Sequence, residues 1–151
     1  MHIELLKNEW LNFVELNISG DNENVFRCHP ESSYIEADVF NLFTPCFEKS
    51  NKLFEFFGQT RYNSRQIIPL QNELKNHLEI IESLETPEAF RSFSDEIFLG
   101  DKFVTELGKT DPKWEKNWHK YHAQLMRLGL DIIALTNRCV EQERVLWVIG
   151  Y

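Results

Sequence analysis

His119 and His122 stand three residues apart, and Glu115 precedes His119 by four. On a helix these three side chains share a face, and two imidazoles with a carboxylate at such spacing suit Zn or Fe. A further ligand would have to come from another helix, where Glu73 and His77, also four apart, are the best donors. Against this, Lys116 and Lys120 flank the histidines, and the Glu-x-x-His pattern of di-iron bundles occurs nowhere in the chain. The favoured expectation is therefore no metal and no cofactor.

Gly108-Lys109-Thr110 resembles the end of a phosphate-binding loop, but that loop needs a glycine five residues before Gly108, and Phe103 stands there. Helical-bundle ribonucleases need an arginine shortly before a histidine on one helix, and no predicted helix here carries that pair. Arg27-Cys28-His29 is the one place where a cysteine adjoins a histidine. Adjacent side chains of an extended segment point apart, so the pair is read as incidental. Cys28, Cys46 and Cys139 are odd in number, show no CxxC spacing, and are expected to be buried thiols. No serine or cysteine sits in a nucleophile signature, so catalytic residues are expected to be none.

The charged side chains are more informative. Glu79, Glu82, Glu85, Glu88, Asp95 and Glu96 follow one another with Arg91 as the sole cation between Asn76 and Phe98. A ridge of negative potential of this kind speeds association with a basic surface and discriminates among partners. A solvated helix face, with acids favoured at a helix start, is the plainer reading. The six carboxylates are the expected partner-binding residues.

The elements that position these residues read as helices. Ile3, Leu6, Trp10, Phe13, Val14 and Asn17 step by three and four, predicting a helix over residues 3–18. Ser33 and Glu36 form a capping box that starts a second helix near Tyr34. Thr44-Pro45 either kinks that helix or opens another, which carries an aromatic face to Gly58. Residues 59–64 read as a turn. Ile67, Leu70, Leu74, Leu78, Ile81 and Leu84 form the stripe of the next helix, and Thr86-Pro87 starts one over residues 87–99. Residues 101–110 read as a connector holding a helical turn. The longest predicted helix opens at Asp111-Pro112 and runs through Ile149 to Gly150-Tyr151, with Trp114, Trp118, Tyr121, Leu125, Leu128, Ile132, Leu135 and Cys139 on its stripe. Val145 to Ile149 is apolar on all faces and reads equally as a final turn or an extended tail.

Together these predict an all-α fold: residues 1–151 as a single domain, a bundle of five to six helices with a long C-terminal helix. The 151 residues, 42% of them hydrophobic, suffice for one core and are too few for two comfortable ones. No apolar run approaches the ~20 residues of a membrane span. The N-terminus lacks the marks of a secretion signal, so a cytoplasmic location is expected. Net charge is -8. It is uneven: residues 1–60 carry 4 basic and 10 acidic side chains, residues 61–100 carry 4 and 7, and residues 101–151 carry 8 and 7. Phosphate backbones are repelled by such a chain and a basic protein is attracted, so no nucleic acid and no membrane are expected as partners.

In size, predicted helicity, acidity and absence of a catalytic signature the chain is similar to the small acidic immunity proteins that bacteria make against protein toxins. The likeness rests on character and on no motif, so no residue is carried over from it. It implies a non-catalytic inhibitor that covers a toxin's active site with an acidic surface. The alternatives are a metal-dependent helical-bundle enzyme built on Glu115, His119 and His122, and a helical adaptor or oligomeric scaffold held by surplus Phe and Trp.

Overall fold

The structure is a computed structural model and describes residues 1–9 and 11–150. Val14, Leu16 and Ile18 alternate with Glu15, Asn17 and Ser19, and this period of two governs the segment. Phe13–Asn17 is a strand, β1, and not part of a helix over residues 3–18. Of that helix's expected stripe, Trp10 lies outside the described residues. Ser33–Glu36 is β2, antiparallel to β1 with Glu15 opposite Tyr34. The capping-box residues thus serve a sheet, because pairing with β1 satisfies their backbone over the whole segment while a cap satisfies only one turn. A short helix α1 (Ala37–Phe40) and a 3-10 turn (Asn41–Phe43) lead to α2 (Thr44–Ser50), with Pro45 in its first turn.

Gln59–Tyr62 forms β3, and Leu146–Gly150 forms β4. The sheet order is β2-β1-β4-β3, with every neighbour antiparallel. The fold is therefore mixed α and β, and the expected all-α helical bundle is wrong. The strand β4 lies at the centre, paired on both sides, which is why its residues are apolar on both faces. The expected helix from Asp111 to Tyr151 is correspondingly shorter: α6 spans Trp118–Glu141, and Tyr151 lies outside the described residues.

One face of the sheet packs against the helices through Val14, Leu16, Ile35, Tyr62, Leu146 and Val148. The helices are α3 (Ile67–Ser83), α4 (Pro87–Asp95), α5 (Gly100–Thr110) and α6. Thr86 caps α4 by accepting from the Ala89 N–H at 3.2 Å. The α3 and α6 stripes interlock closely at Gly129, where a Cβ would stand 2.2 Å from Leu78 Cδ2. At the C-terminal end of α3 two side chains of α6 bond carbonyls: His122 Nε2–H donates to Ile81 O at 2.7 Å and Trp118 Nε1–H to Leu84 O at 2.9 Å. Asp111 organises the turn between α5 and α6, accepting from Tyr121 Oη–H at 2.8 Å, Asn117 Nδ2 at 2.9 Å and Lys113 N at 2.9 Å. Among the described residues no helix is long and apolar enough to cross a membrane.

Candidate functional site

Glu79 and Glu82 lie on α3, Glu85 in the turn after it, Glu88 in the first turn of α4, Asp95 at its last residue and Glu96 at its C-cap. All six are exposed. The structure gathers Glu79, Glu82, Glu85 and Glu88 around the α3–α4 corner. At 1.5 Å rise per residue, Asp95 and Glu96 lie roughly 10 Å further along α4, so the set is two groups and not one unbroken ridge. Among the described residues none of the six enters an ion pair. Arg91, the cation between them, is turned onto Glu115 at 2.6 Å and lies 4.9 Å from the centre of the Trp114 ring.

Helix ends sharpen the meaning of these positions. The C-terminal end of a helix carries partial negative charge, so carboxylates there oppose folding and cations favour it. Neither α3 nor α4 has a basic residue in its last turn. Glu82 sits in that turn of α3, and Asp95 and Glu96 at the corresponding end of α4. Only Glu88, in the first turn of α4, is placed where the dipole rewards an acid.

The metal candidates are dispersed. Glu115 Oε1 holds Arg91, His122 Nε2 is committed to Ile81 O, and His119 is exposed. His77, the second-helix donor, is buried and donates Nε2–H to Leu42 O at 2.6 Å. Among the described residues no three His, Cys, Asp or Glu side chains cluster as metal ligands.

Cys46, Glu73 and His77 line one small cavity of about 30 Å³. Their hydrogen bonds run elsewhere: Cys46 Sγ–H donates to Glu73 O at 3.6 Å while His77 serves Leu42. Burial pushes the Cys46 thiol up to about 12 and pulls the His77 imidazole below its ordinary value. Both shifts disfavour a thiolate–imidazolium pair. Cys139 is also buried and its thiol is pushed up to about 11, chiefly by desolvation. Cys28, by contrast, is exposed and not the buried thiol expected. Its neighbour His29 accepts the Glu31 N–H at Nδ1, 3.1 Å. Lys109 pairs with Glu106 at the C-terminal end of α5, whereas a phosphate cradle needs a helix N-terminus.

The sequence reading missed Glu15. Its carboxylate is fully buried on the outer face of the sheet. There it accepts from Asn17 Nδ2 at 2.9 Å, Ser32 Oγ–H at 2.6 Å, and Cys28 N–H at 2.9 and 3.0 Å from its two oxygens. Asn17 donates also to Phe26 O at 2.7 Å. These bonds latch residues 18–32 over the sheet. The signal available was the alternation of Glu15 and Asn17 with apolar neighbours. A groove of about 810 Å³ runs beside β3, and several of its polar groups are bound within the chain: Asn51 Nδ2 to Arg61 O at 3.0 Å, the Arg61 guanidinium to Asn22 O, and Trp147 Nε1 to Asp21 O at 2.8 Å. Comparison with protein-family models, with curated proteins and with solved structures finds no match to this chain.

Proposed function

We propose that this protein is a non-catalytic inhibitor of the immunity type, which neutralises a basic, toxin-like protein by covering it with the exposed acids of α3 and α4. The observation that supports this is the placement of Glu82, Asp95 and Glu96 at helix ends where they oppose folding, with none of them in an ion pair among the described residues. Carboxylates left in that condition are suited to an external cation, and steering by them accelerates encounter with a basic surface. We place this action in the cytoplasm, with neither nucleic acid nor membrane as partner.

The test is isothermal titration of the purified chain against purified basic toxin domains, alongside the variant Glu82→Lys, Asp95→Lys, Glu96→Lys. The expected result is a complex whose affinity falls at least tenfold in the variant and declines with added salt. Unchanged affinity in the variant, or no binding across the panel, sinks the reading.

A further inference from the structure

Phe57 and Phe98 are 72% and 63% exposed, and the half-buried Phe56 joins them. Its ring centre lies 4.6 Å from that of Phe57 and 5.6 Å from that of Phe98, both edge-on at 72° and 82°. Two distant segments thus build one aromatic surface. Monomeric proteins rarely expose contiguous apolar area of this kind without a binding role.

Both segments are held in place. Gly150 of β4 meets Phe56 so closely that a Cβ there would stand 2.3 Å from Phe56 O, and its N–H donates to Gly58 O at 2.9 Å. On the other side Asn41 Nδ2 donates to Leu99 O at 3.1 Å. Leu99 has φ 59°, a left-handed conformation that a leucine adopts at a cost and a glycine would adopt freely. The turn keeps Leu99 half-buried and leaves Phe98 outside. The left-handed turn at Leu99 thus fixes where Phe98 leaves the surface.

The charge beside the rings decides the occupant. Residues 52–58 and 95–102 carry Glu55, Asp95, Glu96 and Asp101, all exposed, against Lys52 and Lys102. A second copy would set these acids against themselves, and anionic lipid or nucleic acid would be repelled. We infer that Phe56, Phe57 and Phe98, with Asp95 and Glu96, form the centre of a docking site for an arginine-rich surface of a protein partner. This rests on the acidic-surface reading above and moves its centre from the α3–α4 corner to the far end of α4. A guanidinium lies flat on an aromatic face and engages a carboxylate through a two-pronged fork, whereas an ammonium does neither as well.

The experiment titrates the intact chain with hexa-arginine, hexalysine and hexacitrulline while aromatic ¹H–¹³C NMR follows the phenylalanine rings. Hexa-arginine is expected to shift Phe56, Phe57 and Phe98, to bind more tightly than hexalysine, and to outbind the neutral hexacitrulline. The double variant Phe57→Ala, Phe98→Ala should lose at least tenfold in hexa-arginine affinity, and Phe57→Leu, Phe98→Leu, which keeps apolar area without rings, should lose most of it. Glu79→Gln with Glu82→Gln should change it less than threefold. Shifts centred on Glu79 to Glu85, with the phenylalanine variants unaffected, overturn this inference and leave the acidic-surface reading standing. Broadening of the same rings with protein concentration alone assigns the patch to a second copy and overturns it as well. Absence of binding by either cationic peptide at low salt removes both.

Discussion

Neutralising the acids at the C-terminal ends of α3 and α4 should make the protein more stable. In the variant Glu82→Gln, Asp95→Asn, Glu96→Gln each side chain keeps its shape and loses its charge. Glu82 lies in the last turn of α3, Asp95 is the last residue of α4, and Glu96 is its C-cap. A charge in the terminal turn of an exposed helix is worth about 0.3–1 kcal/mol at low ionic strength. Because the three are exposed, the lower end applies, and together they should yield a gain of about 1 kcal/mol. For a chain of this size that raises Tm by about 2–4 °C. Glu88→Gln is the internal control: it also removes one negative charge, but from the first turn of α4, and should lower stability by roughly 0.3 kcal/mol. Urea unfolding followed by circular dichroism, at 20 mM and 1 M salt, measures all of these. The differences should shrink at high salt, where the Debye length falls to about 3 Å. A gain from Glu88→Gln of about one third that of the triple variant, equal per charge removed, would mean that net charge alone is responsible. A triple variant no more stable than the parent would refute the claim that these acids oppose folding, and with it the main support for an external cation.

Three further outcomes follow from the packing. Glu15→Leu removes the acceptor shared by Asn17, Cys28 and Ser32 and should cost about 3 kcal/mol or more in urea unfolding, with faster hydrogen exchange at the Cys28 amide. His77 titrates below its ordinary value because it is buried, so the unfolded chain takes up a proton near pH 6.5 before the folded chain does. Stability is then full above pH 6.5 and falls as pH drops toward the lowered value, by at most about 1.4 kcal/mol per pH unit; His77→Gln should flatten that part of the curve. Gly129→Ala should destabilise by about 1–2 kcal/mol, overpacking against Leu78 outweighing the better helix propensity of alanine, and the double variant with Leu78→Ala should cost less than the sum of the two.

Sequence reading succeeded where local spacing and tertiary burial agree. The α3 stripe from Ile67 to Ile81 and the Thr86-Pro87 start of α4 are of that kind. It failed where pairing across the chain decides the outcome. The helical reading of residues 3–18 had to place Asn17 on an apolar face, whereas alternation places Asn17 with Glu15 and leaves Val14, Leu16 and Ile18 on the other side. That Glu15 is fully buried is not visible locally, since its donors at Cys28 and Ser32 lie 13 and 17 residues away. Ser33 and Glu36 satisfy a helix-cap pattern as letters, yet β1 pairs with them residue by residue. The exposure of the six acids was legible from charge. Their conflict with the helix dipoles was not, because it depends on α4 ending at Asp95 and not at residue 99. The aromatic surface was also hidden, since the sequence sets Phe56 and Phe57 on one helix face and Phe98 on a separate helix over residues 87–99, and only the tertiary fold brings the three rings together.

Two of the three residues that suggested a catalytic metal, His122 and Glu115, instead explain how the acidic surface is tolerated. The last carbonyls of a helix are the source of its negative end, and donors placed on them reduce that potential. At the end of α3, Ile81 O receives His122 and Leu84 O receives Trp118, so Glu82 and Glu85 face a weakened field. Glu115 meanwhile takes Arg91, the sole cation between Asn76 and Phe98, and withholds it from the acids around it. The start of α6 and the turn before it thus act in two directions at once: they relieve the strain of the carboxylates at the α3–α4 corner while keeping their charge unspent. At the end of α4, where Asp95 and Glu96 precede the exposed Phe98, the donors are local: Ser94 Oγ–H bonds Arg91 O at 2.9 Å and Ile97 N–H bonds Ser94 O at 3.1 Å. The last turn of α4 holds no basic residue, so a guanidinium from outside would meet a negative helix end and two carboxylates together.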